Sequence, residues 1–77
     1  MALPVISGRR AIKALTKAGF RGAGRKGSHI KLKKKNDDRV FVVIVPDHAE
    51  LARGTLKSIL KQANMTKEEF LRLLEEV

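Results

Sequence analysis

Only two of the 77 residues are histidines, and one of them, His29, stands in the run Arg25-Lys26-Gly27-Ser28-His29-Ile30-Lys31-Leu32-Lys33. An unperturbed imidazole titrates near about pH 6.5, so it can give or take a proton close to neutrality. Ammonium groups beside it can hold phosphate oxygens and meet the charge that builds on a phosphorane. Together these groups suit scission of an RNA backbone. That reaction needs the 2′-hydroxyl deprotonated, the leaving oxygen protonated and the phosphorane stabilised. One imidazole can carry one of the two proton transfers, typically worth about 10²- to 10⁴-fold. Lys26, Lys31 and Lys33 would supply the electrostatic part, with Arg25 and Lys34 as outer contacts to the backbone. The same pattern also describes a surface histidine on a polar strand face, and residue types alone leave both readings open.

The remaining candidates for chemistry are weaker. His48 lies in Val45-Pro46-Asp47-His48. Adjacent residues rarely face each other, so Asp47 is poorly placed to orient it. A structural residue at the turn into the next element is the simpler reading. Gly22, Gly24 and Gly27 lack the spacing of a phosphate-binding loop, and Gly54-Thr55 lacks the upstream glycine of one. Ser28 beside His29 is not a catalytic triad, and Asp37 and Asp38 read as turn residues. With no cysteine there is no disulfide framework and no thiolate site, and two histidines with eight carboxylates show no metal-ligand spacing. No metal or other cofactor is expected.

Charge points to the partner. Lys and Arg number 17 against 8 Asp and Glu, a net +9. Residues 1–36 hold eleven of the basic residues and no acid, whereas residues 37–77 hold six basic and eight acidic residues. A surface that only needs hydration mixes both signs. A one-signed half favours a polyanion, of which nucleic acid is the commonest. Three Phe with no Tyr or Trp argue against a base-stacking platform and favour recognition of shape and backbone. The longest apolar run, residues 40–46, is too short to cross a bilayer. Nothing at the start resembles a signal peptide, so a cytoplasmic location is the expectation.

The elements that must position His29 follow from local pattern. One domain is expected over residues 1–77, with a core small enough that apolar packing alone must hold it. After a short apolar lead-in over residues 2–6, Ser7 reads as a helix cap. Ala11, Ile12, Leu15 and Ala18 then recur at helical spacing, and Gly19 ends the helix. Three strands are expected at residues 20–24, 28–34 and 39–45, with turns at residues 25–27 and 35–38. In the middle strand, alternation puts Ile30 and Leu32 on one face and His29, Lys31 and Lys33 on the other. The third strand is apolar on both faces, with Val40, Val42 and Ile44 opposite Phe41, Val43 and Val45. Either the last helix of the chain covers the second face, the usual arrangement in a small domain, or a protein partner does. A second helix begins near Gly54 with Leu56, Ile59, Leu60 and Ala63 inward, and Asn64 stops it. Thr66 and Glu69 form a capping box for a third helix bearing Phe70, Leu73, Leu74 and Val77. The class is α+β: helix, three-stranded antiparallel sheet, then helix and helix, in two layers. Ile12, Leu15, Ile30, Leu32, Leu56, Ile59 and Leu60 should lie between the layers.

Several of these motifs, taken in order, resemble one family. They are Ser7-Gly8-Arg9, Ile12, Gly19-Phe20, Gly27-Ser28-His29, Val45-Pro46-x-His48, Leu51-x-x-Gly54-Thr55-Leu56-x-x-Ile59-Leu60-x-Gln62-Ala63 and Thr66-x-x-Glu69-Phe70-Leu71. The set is similar to the HicA toxins of prokaryotic HicA–HicB toxin–antitoxin systems and spans nearly the whole chain. The resemblance implies a fold like the double-stranded-RNA-binding domain. It also implies a metal-independent endoribonuclease (an mRNA interferase) that uses the histidine after Gly-Ser, here His29. A HicB-type antitoxin would bind and block it. Asn64 stands where the family often carries glycine, which touches a helix stop rather than the site. A non-catalytic double-stranded-RNA-binding module is the alternative that charge and element order support equally, and an inactive relative kept for partner binding is a third.

Overall fold

The structure, a computed structural model, describes residues 3–77. Its elements run α1 (Gly8–Lys17), β1 (Arg21–Lys26), β2 (His29–Asn36), β3 (Arg39–Pro46), α2 (Arg53–Ala63) and α3 (Lys67–Glu75). The strands form one antiparallel sheet in the order β1-β2-β3. The helices lie on one side of it, which makes the expected two-layer α+β architecture. Of the apolar lead-in expected over residues 2–6, Ala2 lies outside the described residues. Leu3 and Ile6 are buried, and the Ile6 carbonyl accepts from the Leu51 amide at 2.8 Å.

Local signals place the helix ends where the sequence pattern puts them. Ser7 caps α1 by accepting from the Arg10 amide at 3.1 Å, and Gly19 follows the helix with φ +104°. Asn64 ends α2 in the left-handed conformation at φ 54° and ψ 46°. Thr66 and Glu69 form the reciprocal capping box of α3, with the Thr66 side chain accepting from the Glu69 amide at 3.1 Å and Glu69 from the Thr66 amide at 3.1 Å.

The strands run longer than their patterns suggest, and the turns are tighter. The first hairpin loop is Gly27 and Ser28 alone, because Lys26 pairs directly with His29. Gly27 takes φ +60° while Ser28 keeps a negative φ, the arrangement of a two-residue turn with glycine first. The second loop is Asp37 and Asp38, with Asp37 at φ 55°. Arg25 and Lys26, expected in a turn, are therefore strand residues, as are Lys35 and Asn36.

Phe20, Phe70, Leu15, Leu56, Ile59, Val43 and Val45 make the fully buried centre of the core. Among the described residues no polar or charged side chain is buried, so the core is held by apolar packing. Leu15, Leu32, Leu56, Ile59 and Leu60 are buried, as their spacing predicts. Ile12 and Ile30 are only partly covered. They line a shallow groove between α1 and the sheet, where Gly22 of β1 brings no side chain across to close it. The last helix buries Phe70 and Leu74, while Leu73 is partly covered and Val77 lies beyond the helix and is 39% exposed.

Among the described residues the outer face of β3 has no covering layer, and the last helix, expected to cover it, packs against α1 instead. Val40, Val42 and Ile44 are 57%, 36% and 37% exposed. α2 instead packs against β3 from the core side, and its Gln62 accepts the Ile44 amide at 2.9 Å. That bond masks one donor along an otherwise open sheet edge.

Candidate functional site

The site is built on the hairpin β1–β2 and the sheet face away from the helices. Residues directly opposite in an antiparallel pair share a face, with Cβ atoms about 4.5–5.5 Å apart. His29 pairs with Lys26 on one side and Pro46 on the other. Lys31 pairs with Gly24 and Ile44, and Lys33 with Arg21 and Val42. Lys35 pairs with Val40. His29, Lys26, Lys31, Lys33, Arg21 and Lys35 thus share the open face, with the apolar stripe Val40, Val42 and Ile44 beside them. None of the three strands carries an acidic residue. The imidazole is exposed and accepts or donates no side-chain hydrogen bond among the described residues.

Two of the expected contact residues are placed elsewhere. Lys34 faces the helix side, as alternation from Lys33 requires, and its Nζ lies 5.8 Å from the centre of the Phe20 ring. A cation over an aromatic face is worth about 0.5–1 kcal/mol at an exposed site, so Lys34 has a structural contact on the far side of the sheet from His29. Arg25 pairs with Ile30 and also faces the helices. Its guanidinium donates to the Gly27 carbonyl at 2.9 Å and to the Asp47 carboxylate at 3.1 Å. The two-residue turn sets this face, since Lys26 lies opposite His29 and the next residue back must then lie opposite Ile30; a β-bulge between Gly22 and Gly24 shifts the phase of β1 by one residue beyond it. The same shift brings Arg21 onto the open face beside Lys33. Sequence reasoning does not single out Arg21 or Lys35. The alternation that selects Lys31 and Lys33 extends to Lys35 once β2 is allowed its full length. Arg21 depends on the bulge and has no local signal.

Asp47 is the second residue whose place is decided by tertiary structure. Its carboxylate accepts from Arg9 at 3.2 and 3.4 Å and from Arg25 at 3.1 Å, and its side chain is only 14% exposed. Desolvation pushes its pKa up and is the largest single influence. The hydrogen bonds and charges of Arg9 and Arg25 together outweigh it and hold the carboxyl below the ordinary carboxylate value. Negative charge here also suits α1, which has no acid in its first turn and carries Arg9 and Arg10 at the positive end of its dipole. His48 is exposed, and its carbonyl accepts the Gly8 amide at 2.9 Å, fastening the start of α1 to the end of β3. Among the described residues, no three His, Asp or Glu side chains gather in a way that could hold a metal ion.

With this geometry in place, comparison with known families is decisive. The sequence model described as the HicA toxin of bacterial toxin–antitoxin systems matches residues 8–65, from the first residue of α1 to just past the end of α2. The chain belongs to the HicA toxin family. The match takes in α1, the whole sheet, both histidines and α2, and it leaves outside the lead-in before α1 and, of the helices and strands, α3. No match was found among curated proteins. Membership places this HicA chain within the toxin side of toxin–antitoxin systems, with an antitoxin as its partner in general terms. Among the described residues, no helix is long and apolar enough to cross a membrane.

Proposed function

We propose that this HicA chain is an endoribonuclease toxin that cleaves mRNA, with His29 as general acid or base. Lys26, Lys31 and Lys33 hold the backbone phosphates on either side of the scissile bond. The observation that carries the reading is that His29 and these three lysines share one open, acid-free sheet face, the lysines within one or two residue pairs of the imidazole. A phosphodiester laid along β2 would meet cations at successive i+2 positions, about 6.5–7 Å apart at the rise of a strand. That is close to the spacing of phosphates along a nucleic-acid strand. Arg21 and Lys35 extend the same face, whereas Arg25 and Lys34 do not belong to it.

The antitoxin, in this reading a HicB-type protein, covers the same face. Val40, Val42 and Ile44 offer it exposed apolar area, and the adjacent lysine row offers positive charge. A partner with acidic residues around an apolar strip fits both, and the charge mainly speeds encounter. Occupying this face would also remove His29 from RNA.

The alternative, a double-stranded-RNA-binding module without catalysis, draws support from the lone imidazole, which no side chain among the described residues orients by a hydrogen bond. His29→Ala separates the two. Phosphate contacts carry most nonspecific affinity, so the variant should fold and bind RNA as the wild type does. It should lose cleavage in the presence of EDTA, and lose growth arrest on expression. A folded variant that still cleaves at the wild-type rate would remove His29 from the mechanism. A wild type that binds RNA and never cleaves it would establish the binding module.

A further inference from the structure

Arg25 and Asp47 lie on the helix side of the sheet, yet each makes one hydrogen bond to the backbone that presents His29. The Arg25 guanidinium donates from Nε to the Gly27 carbonyl at 2.9 Å and from its terminal nitrogen to the Asp47 carboxylate at 3.1 Å. The Asp47 amide donates to the Ser28 carbonyl at 2.6 Å. Both carbonyls of the two-residue turn before His29 are therefore held, one by each member of the pair. Arg9, from the first turn of α1, grips the same carboxylate at 3.2 Å and joins it to the helix layer.

Apart from the pairing of His29 with Lys26 and Pro46, side-chain packing does little to steady this end of the hairpin. Every residue from Arg21 to His29 is exposed, β1 carries two glycines and a bulge, and Gly22, Gly24 and Gly27 have no neighbouring atoms within 4 Å of where a side chain would begin. Among the described residues, the imidazole itself has no side-chain hydrogen bond to fix its direction. Its aim then follows the backbone at residues 27–29, which sheet pairing with Lys26 and Pro46 holds at His29 and which Arg25 and Asp47 hold at the turn before it.

We propose that Arg25 and Asp47 are positioning residues, a backbone clamp that holds the turn of Gly27 and Ser28 and so aims the His29 imidazole at the scissile phosphate. The proposal rests on the catalytic role given to His29. It assigns Arg25 a different role from a phosphate contact: it acts from behind the sheet and touches no RNA on the open face. Arginine is required because one planar guanidinium must reach a carbonyl and a carboxylate together, which a lysine ammonium cannot reproduce.

The test uses the full chain and four proteins: wild type, His29→Ala, Asp47→Asn and Arg25→Lys. The Asp47→Asn change keeps the backbone amide donor to Ser28 and removes the charge that holds both arginines. Two measurements are made on each protein. The first is backbone mobility of residues 26–30 by NMR relaxation and amide exchange. The second is kcat and KM for cleavage of a single-stranded RNA in EDTA. The expected result is raised mobility confined to residues 26–30 in Asp47→Asn and Arg25→Lys. With it, kcat should fall about 10- to 10²-fold at nearly constant KM, the cost of a small misplacement of a catalytic group. A rise in KM with kcat unchanged would make Arg25 an RNA contact and overturn the clamp. Unchanged mobility of the turn in both variants would overturn it as well. Should His29→Ala cleave like the wild type, the catalytic role fails, and the mobility measurement still decides whether the clamp exists. Should Asp47→Asn fail to fold, Arg25→Lys carries both measurements, since the Arg25 side chain is 54% exposed and replacing it leaves the core intact.

Discussion

Two glycines in the first turns of two helices should respond in opposite directions to the same substitution. Gly8 opens α1 against the end of β3. A Cβ placed on it would collide with the Pro46 carbonyl oxygen and would stand 3.0 Å from the Pro46 carbonyl carbon and 3.3 Å from the His48 nitrogen. All three are backbone atoms, so no side-chain rotation can make room. Gly8→Ala must push α1 away from β3, stretching the Gly8–His48 hydrogen bond of 2.9 Å. Overpacking of this kind costs about 1–3 kcal/mol and a lost hydrogen bond about 0.5–1.5 kcal/mol. Alanine returns at most about 1 kcal/mol of helix propensity. The net is a loss of about 2 kcal/mol, a large share of the roughly 4–12 kcal/mol expected for a chain this long. Gly54 sits in the first turn of α2 with nothing within 4 Å of its would-be Cβ. Gly54→Ala should gain about 0.5–1 kcal/mol. Urea unfolding followed by circular dichroism reads both as shifts in midpoint at constant slope. Thermal midpoints should fall by about 8–16 °C for Gly8→Ala and rise by about 2–8 °C for Gly54→Ala. A Gly8→Ala variant as stable as the wild type would refute the close approach of α1 to β3. The frame that carries Arg9 to Asp47 would be refuted with it.

Removing both Lys31 and Lys33 should weaken RNA binding and flatten its dependence on salt, by about 0.7 in slope for each phosphate of a single strand that is no longer neutralised. Lys34→Ala, on the other face, should leave that slope unchanged. Both are measured by titration across a salt series in a His29→Ala background, so that the RNA stays whole. Acid should destabilise the fold through Asp47 and Glu69. Desolvation raises the Asp47 pKa, and Arg9 and Arg25 more than reverse it, while hydrogen bonds from Thr66 lower that of Glu69. Both carboxyls titrate lower folded than unfolded, so between the two values the unfolded chain binds more protons and stability rises with pH. Their contribution is complete above about pH 4.5 and disappears as pH falls through the folded values. Asp47→Asn and Glu69→Gln should each make the acid limb of a stability–pH curve shallower, and an unchanged limb would refute the pairing.

Much of this molecule was legible along the chain because it depends on near neighbours. A serine, a glycine or an asparagine at a helix end acts within one turn, and so does the Thr66–Glu69 capping box. Alternation over Ile30 to Lys33 divides β2 into an apolar face and a basic one without reference to the rest of the fold. The same alternation places Lys34 with Ile30 and Leu32, so its place behind the sheet was also present in the sequence, although its charge suggested the open face. The family motifs, spread over the whole chain, carried the HicA resemblance that the match over residues 8–65 establishes.

What only the tertiary structure decided depends on contacts between distant residues. The two-residue turn sends Arg25 behind the sheet, the bulge between Gly22 and Gly24 brings Arg21 to its front, and no pattern within six exposed residues announces either. Asp47 meets Arg25 and Arg9 across separations of 22 and 38 residues, a meeting that follows from where α1 lands on β3. The partial exposure of Ile12 and Ile30 and the open stripe of Val40, Val42 and Ile44 are likewise decided by which surfaces three short helices can reach. An apolar residue states that it can be buried, and only the packed neighbours determine whether it is.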